Sequence, residues 1–274
     1  MTTGPWALWQ RQVRAIVRLE LKKHFLSRRA WWIWVLAFAP VILCLTHSLA
    51  DTRGHELGVD TQVFAGIYQF FYLRLGIYFG CVGIFMNLFR GDVLEKTLHY
   101  YLLAPVRREV LLAGKYATGV AASILFFGSS TALSFFFCRL HFGDEFQDFV
   151  WRGPGLEHLL WYLMTTALGC LGYGAVFLLM GLVARNPMIP AALVLVWEGI
   201  NNFLPAFLQK VSITFYLKSL VPVTVPMEGP VAIIAVAADP APAWLAIGGL
   251  VVVSSAILWA AMRRVRDFEI SYVE

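Results

Sequence analysis

Four polar residues stand within apolar runs, and they are the residues of this sequence best placed to do chemistry. Arg74 lies in one such run, and Glu198, Asn201 and Asn202 lie in another. Residues three and four positions apart share a helix face, so the two asparagines extend a polar stripe from Glu198. A charge in apolar surroundings must find a partner, water or a ligand. The four residues therefore predict either a polar path for a substrate or a structural ion pair between Arg74 and Glu198 that fastens two helices together.

Motifs of nucleotide hydrolysis, metal binding and covalent catalysis are missing from the sequence. Glu109 stands where the first glycine of a phosphate-binding loop should precede Gly114–Lys115, and Tyr116 replaces its Ser or Thr. The six histidines lack H-E-x-x-H or comparable metal spacing, and no G-x-S-x-G surrounds Ser129. We therefore predict no catalytic residue, no metal site and no cofactor in this chain. Any ATP and Mg²⁺ would be bound by a partner chain.

The composition indicates a membrane protein. The chain is 59% hydrophobic and 14% charged, with a mean hydropathy of +0.68, whereas soluble domains carry about 25% charged residues. The net charge of +5 is compatible with nucleic-acid binding, but the basic residues cluster in loops on one side of the predicted membrane. Nucleic acid is therefore not an expected partner, and membrane lipids are.

The apolar runs predict six transmembrane helices, because a bilayer core needs about 20 apolar residues in helix. We expect an all-α integral membrane fold, with residues 1–274 forming one transmembrane domain. The predicted spans are Ala30–Leu49, Phe64–Phe89, Lys115–Cys138, Glu157–Ala184, Met188–Phe207 and Trp244–Met262.

The basic residues predict the orientation of these spans. Cytoplasmic loops carry an excess of Lys and Arg, and most of the 22 Lys and Arg fall on one side when the N-terminus is cytoplasmic. The even number of spans then places the C-terminus on the same side. The sequence predicts a multi-pass protein of the inner (plasma) membrane with both termini in the cytoplasm.

The segment Arg11–Arg29 before the first span is amphipathic. Its apolar residues fall near one helical face and its basic residues on another, a pattern typical of a helix that lies in the membrane interface. The alternative is a cytoplasmic extension of the first span. We favour the interfacial helix.

The segment 209–243 is apolar but contains five prolines. Each proline removes a backbone donor and clashes with the preceding helical turn, so a single spanning helix is excluded. Irregular backbone at membrane depth survives only where protein or a cavity covers it. We predict short re-entrant or surface-lying helices on the outer side, and two additional crossings are the alternative.

The cytoplasmic loop between the second and third predicted spans carries charged and aromatic residues on a short helix. Val93 to Leu103 can form about three turns, which Pro105 ends. This helix, within 91–104, is either a docking element for a soluble partner or an ordinary connection. The docking residues would be Asp92, Glu95, Lys96, Thr97, Leu98, His99, Tyr100 and Tyr101.

Two glycines in the second predicted span, Gly76 and Gly80, form a G-x-x-x-G pattern. This spacing lets two helix backbones approach closely. The pattern predicts a helix-packing site, which is either a contact between two copies of the chain or a contact inside one copy.

The loop resembles that of the permease subunits of ABC-2 type exporters, also called type V. Those proteins have an acidic residue after the second span, then Thr-Leu, a Pro-Val/Ser-Arg element and a Gly-Lys that opens the third span. This chain has Glu95, Thr97-Leu98, Pro105-Val106-Arg107 and Gly114-Lys115 in that order. Six spans, the amphipathic N-terminal segment and the proline-rich outer segment extend the resemblance over the whole chain.

The resemblance implies a transport subunit without an ATPase site of its own. Segment 91–104 would be a coupling helix seated in an ABC ATPase, two ATPase copies would serve each complex, and the chain would pair with itself or with a second permease. Segment 11–29 would be the connecting helix and 209–243 the outer gate. The substrate would be a lipid, glycolipid, drug or peptide-like molecule. The alternatives are a membrane-embedded enzyme that acts on lipid and an ATP-independent carrier.

Overall fold

The computed structural model describes residues 5–26, 31–50, 56–94, 103, 106–184, 186–225 and 238–266. Across these residues the regular structure is entirely helical. Five helices are long and apolar enough to cross a membrane, and they span Trp31–Ala50, Leu57–Phe89, Arg108–Phe142, Gly155–Val183 and Ala243–Arg266. The predicted all-α membrane class is therefore confirmed.

The α-helices are numbered here in chain order. They are α1 (Pro5–Leu26), α2 (Trp31–Ala50), α3 (Leu57–Ile67), α4 (Ile77–Phe85), α5 (Asn87–Leu94), α6 (Arg108–Phe137), α7 (Asp144–Trp151), α8 (Gly155–Val183), α9 (Met188–Ile200), α10 (Ala206–Gln209), α11 (Ile213–Ser219) and α12 (Ala243–Arg266). A π-helix (Tyr68–Gly76) joins α3 to α4, and 3-10 turns cover Leu140–Phe142 and Asn201–Phe203. We refer to α2, the α3–α4 unit, α6, α8 and α9 as spans 1 to 5, in that order. Helix α12 is the last span.

The fifth predicted span, Met188–Phe207, is shorter than a full crossing. Helix α9 has 13 residues and continues into the 3-10 turn, so the apolar helix extends over Met188–Phe203. At 1.5 Å per residue this segment measures roughly 24 Å, against about 30 Å for a bilayer core. Pro205 then separates it from α10. Six crossings thus remain a prediction, to which the structure contributes five long helices and this shorter one.

The outer segment consists of short helices over its described part. Helix α11 has seven residues, and the chain from 220 to 225 and from 238 to 242 has no regular helix. Its Thr214, Phe215 and Leu217 are buried because α11 contacts α8, α12 and the π-helix. Residues 226–237 lie outside the described part, and the re-entrant path predicted for 209–243 stays a prediction.

Helix α8 is the central element of the core. It contacts α4, α6 and α12. Glycines bring these helices close together, since a methyl group on Gly174 would lie 2.5 Å from the Phe85 ring. The G-x-x-x-G pattern works in the same way inside the chain, because a methyl group on Gly80 would lie 2.2 Å from the ring of Phe127, and one on Gly76 would lie 3.6 Å from it.

Helix α1 is amphipathic, and it begins six residues before the predicted Arg11 and ends at Leu26. Ile16 and Glu20, one turn apart, are buried against the protein, whereas the arginines at 11, 14 and 18 are exposed. The buried face packs on α6. Gly114 permits this approach, because a methyl group there would lie 3.0 Å from Ile16 Cγ2. Residues 27–30 lie outside the described part.

Candidate functional site

A cavity of about 240 Å³ lies where span 2, α8, α9 and α11 meet. Arg74 and Glu198 both line it, together with Tyr78, Tyr173 and Thr214. The Tyr78 hydroxyl donates a hydrogen bond to the carbonyl of Ala191 on α9. This contact confirms that spans 2 and 5 are neighbours, as the matching depths of Arg74 and Glu198 predict.

The π-helix carries Arg74 into the cavity. π-Helical turns are rare and are frequently found at functional sites, and here the turn extends over nine residues. Buried tyrosines hold it in place. The Tyr72 hydroxyl hydrogen-bonds to Ser130 (2.6 Å) and Ser134 (2.8 Å), and the Tyr68 hydroxyl hydrogen-bonds to Thr166 (2.9 Å). The 3.6-residue period used on the sequence does not distinguish a π-helix from an α-helix, so this feature was missed.

Glu198 caps helix α11. Its carboxylate accepts hydrogen bonds from the Ser212 hydroxyl, from the Ile213 N–H (3.0 Å) and from the Thr214 N–H (3.2 Å). Within the described residues Arg74 makes no ion pair with Glu198. The ion-pair alternative is therefore corrected: the first N–H groups of a helix lack intrahelical acceptors, and the carboxylate meets that need.

The two asparagines tie α9 to the outer segment. Asn202 Oδ1 accepts a hydrogen bond from Lys218 Nζ (3.0 Å), and Asn201 Nδ2 donates to the carbonyl of Gln209 (3.3 Å). Burial lowers the pKa of Lys218 to about 8, with a further decrease from the positive charge of Arg74 and an opposing increase from Glu198. Among the described residues, two cations thus share this region with the Glu198 carboxylate, which accepts hydrogen bonds from α11.

A second charge cluster lies at the end of the helices that the basic residues predict to be cytoplasmic, and it is called the cytoplasmic cluster. The Lys115 ammonium donates to Glu20 and to Asp92, each at 2.5 Å. Lys115 is fully buried, and both carboxylates are almost fully buried. The cluster joins α1, α5 and α6.

Asp92 is therefore bonded within the protein, and its predicted part in ATPase coupling stays a prediction. A buried ammonium without counter-ions is strongly destabilising, and Asp92 supplies one of the two counter-ions of Lys115. Lys115 lies inside helix α6, because this helix begins seven residues before the predicted span.

The remaining predicted docking residues fall outside the described part of the chain. Helix α5 ends at Leu94, and the structure continues from Val106 apart from the exposed Leu103. The coupling role of Glu95, Lys96, Thr97, Leu98, His99, Tyr100 and Tyr101 therefore stays a prediction.

Aromatic and ionic contacts join the helices that flank this loop. Arg266 near the end of α12 pairs with Glu109 at the start of α6 (2.7 Å). The guanidinium of Arg107 stacks over Trp9 of α1 at 5.2 Å. Helices α1, α6 and α12 thus meet at the end that is predicted to be cytoplasmic.

These features define a multi-pass α-helical membrane protein with a mainly apolar cavity among its spans, which Arg74 and Glu198 also line. A family model described as "ABC-2 family transporter protein" matches residues 16–201, which is more than half of the chain. The chain belongs to the ABC-2 transporter family and is a permease, a transport subunit whose family works with an ABC ATPase. No curated protein matches the sequence.

Proposed function

We propose that this chain is the transmembrane permease subunit of an ATP-driven exporter, with ATP and Mg²⁺ bound and hydrolysed on a separate ATPase subunit. The proposal rests on the cavity between spans 2 and 5. Arg74 lines this cavity and lies in the middle of a membrane-spanning helix. A charge at that depth is costly and marks substrate pathways in membrane proteins. Membership of the ABC-2 family supports the same role.

The cytoplasmic cluster would transmit movement of the ATPase to the spans. The coupling segment 91–104 contains Asp92, and Asp92 is bonded through Lys115 to α1 and α6. A displacement of that segment would therefore move three elements together. ATP can shift the complex between its inward and outward states only because it binds the two states with different affinity. Through the rigid connection at Lys115, the arrangement of the spans would change together with that of the ATPase.

The charges of the cavity favour a substrate with an anionic group. Arg74 lines the cavity and lowers the pKa of Lys218, whereas the Glu198 carboxylate is engaged by hydrogen bonds from α11. A lipid, glycolipid, drug or peptide-like molecule can carry such a group. Drug-sized ligands occupy pockets of about 300–1,000 Å³, so the cavity must widen during transport.

The complex would lie in the inner (plasma) membrane with both chain termini in the cytoplasm. Two permeases, either two copies of this chain or this chain and a sister, would each carry one ATPase. A lipid-acting enzyme is disfavoured because it would need Arg74 and Glu198 as a catalytic pair, and Glu198 caps α11 instead. An ATP-independent carrier would leave the cytoplasmic segment without a partner.

Co-purification from a gently solubilised membrane tests this function. Tagged wild-type protein should retain an ABC ATPase with vanadate-sensitive ATP hydrolysis. The variants Leu98→Asp and Tyr101→Asp should lose it, because each replaces an apolar or aromatic residue of the predicted docking helix by a charged one. Trp151→Asp is the matched control, since Trp151 is 75% exposed on the outer helix α7.

Two results would count against the proposal. A monodisperse wild-type protein that retains no ATPase would remove the exporter function. Retention of the ATPase by both loop variants would place the docking surface elsewhere.

A further inference from the structure

Four side chains with metal-binding chemistry meet at the outer ends of spans 1, 2 and 3. His47 lies in the last turn of α2, and Asp60 lies in the first turn of α3. Cys138 directly follows α6, and His141 lies in the next 3-10 turn. Since they come from three elements, no sequence spacing reveals the group.

Three of these side chains lie close enough to share one ion. The Cys138 sulfur, His47 nitrogen and Asp60 oxygen all lie within 4.8 Å of one another, and His47 Nε2 is 3.5 Å from Asp60 Oδ1. Ligands at zinc distances of about 2.0–2.3 Å in a tetrahedron are roughly 3.3–3.6 Å apart, so the His47–Asp60 pair has the spacing of two zinc ligands. His141 Nε2 lies 3.7 Å from Asp60 Oδ2, the second oxygen of the same carboxylate, and therefore lies beside the three-ligand group.

The surroundings orient these ligands. His141 Nδ1 lies 3.1 Å from the Ser48 hydroxyl, and Nε2 of the same ring faces Asp60. Outer partners of this kind orient a ligating carboxylate, and the Ser48 contact fixes the ring orientation of His141. Asp60 is fully buried, whereas the side chains of His47 and His141 are 23% and 19% exposed. An ion can therefore enter from the outer side, past the two imidazoles.

A buried arginine next to the group does not occupy the ligand positions. Arg139 Nη1 donates to the carbonyl of Phe135 (2.9 Å), and Nε lies 3.4 Å from the Thr61 hydroxyl. Its guanidinium also stacks over the Phe135 ring at 4.3 Å. The charges of a divalent ion would be balanced by the Asp60 carboxylate and a Cys138 thiolate, so the loaded site would carry only the single charge of Arg139.

We propose that His47, Asp60 and Cys138 form a zinc-type metal site on the outer side of the protein, with His141 orienting the Asp60 carboxylate. A donor set of an imidazole, a carboxylate and a thiolate suits Zn²⁺, which is borderline soft and takes N, S and O ligands. Binding forms a Zn–S bond and releases the Cys138 thiol proton to water. The three ligands come from the ends of spans 1, 2 and 3, so a bound ion fastens these ends together, and water takes the fourth position. The proposal is independent of the proposed transport function.

Metal titration of the purified full-length protein tests the site. Wild-type protein, stripped with chelator and titrated with Zn²⁺, should bind one ion per chain. Asp60→Asn and Cys138→Ser should weaken binding at least 100-fold, and Ser48→Ala about 10-fold or more, through its effect on His141. Cys81→Ser is the matched control, because Cys81 is a buried thiol of span 2 outside the group, and it should bind like the wild type.

Cobalt provides a readout that does not depend on stability. Co²⁺ added to the stripped wild-type protein should give a sulfur-to-cobalt charge-transfer absorption, which Cys138→Ser abolishes and Cys81→Ser keeps. Each variant is compared at the same monodisperse elution volume, and His47→Gln replaces Asp60→Asn if the latter aggregates. Absence of stoichiometric zinc in the wild type, or a cobalt absorption that persists in Cys138→Ser, would overturn the proposal.

Discussion

The cytoplasmic cluster and the membrane cavity differ in how far their positive charges are paired with carboxylates. In the cytoplasmic cluster one cation, Lys115, meets two carboxylates at 2.5 Å. In the cavity region two cations, Arg74 and Lys218, lie near the Glu198 carboxylate, which accepts its hydrogen bonds from α11. The first arrangement satisfies its charges within the protein, whereas the second leaves positive charge available to a ligand.

This difference indicates where the molecule is fixed and where it can respond. A buried network whose members are all bonded holds its elements in one arrangement. The cytoplasmic cluster joins α1, α5 and α6 in this way. In the cavity region the contacts join α9 to α11, which has seven residues. Such a short helix is easier to displace than the three elements that the cytoplasmic cluster joins.

Breaking the cytoplasmic cluster should have the largest effect. Lys115→Met leaves two buried carboxylates without their cation, and we expect a loss of about 3–5 kcal/mol in unfolding free energy. Adding Glu20→Gln and Asp92→Asn should restore part of it, because the charges are then gone. Denaturant unfolding in detergent measures both.

The exposed ion pair of Arg152 with Asp148 provides the control for this prediction. Arg152→Gln should change the free energy of unfolding by less than about 1 kcal/mol. An equally small effect of Lys115→Met would mean that the cytoplasmic cluster does not fasten the three helices.

Removing the Glu198 carboxylate should have an intermediate effect. Glu198→Ala leaves the Ser212 hydroxyl and two N–H groups of α11 without their acceptor, and we expect a loss of about 2–3 kcal/mol. Glu198→Gln keeps one acceptor oxygen and should lose less. Thermal unfolding of the two variants, compared in the same detergent, measures the difference.

A charge swap distinguishes capping from ion pairing at this position. Glu198→Arg should be inactive, and Arg74→Glu in the same chain should not restore it, because the partners of Glu198 are hydrogen-bond donors of α11. Recovery of ATPase stimulation in the double variant would reinstate the Arg74–Glu198 ion pair.

The pH dependence of stability sharpens the account of the cavity charges. The pKa of Lys218 is lowered to about 8 in the folded protein, against about 10.4 when unfolded. Between these values the unfolded chain binds the proton and the folded chain does not, so stability should rise with pH from about 8 to 10. The thermal midpoint of the wild type should rise relative to that of Lys218→Met over this interval. Parallel curves would mean that Lys218 is not held in the unfavourable environment described.

The sequence predicts the membrane class and the positions of the long helices well, because a run of about 20 apolar residues is typical of a transmembrane helix. Arg74 and Glu198 were likewise found as charges among apolar neighbours. Their partners were not, since Glu198 bonds to backbone N–H groups and Lys218 to Asn202, and backbone donors have no signature in sequence.

Two other features depend on long-range contacts that periodicity does not contain. Lys115 reads as a loop cation beside a span, but tertiary packing brings Glu20, 95 positions away, into contact with it. The outer helix α7 is eight residues long and is held by the burial of Phe146 and Val150. Such a short helix is marginal alone, and the sequence indicated only a loop.

The most direct test of an ATP-driven permease is a distance measurement on the outer side of the assembled complex. Spin labels at Val211→Cys and Trp151→Cys, both exposed positions, would report the distance between the outer segment and α7 in nanodiscs containing the bound ATPase. Our account predicts that trapping with Mg-ATP and vanadate shifts this distance relative to the nucleotide-free complex, as the cavity opens. An unchanged distance distribution in a complex that hydrolyses ATP would contradict it.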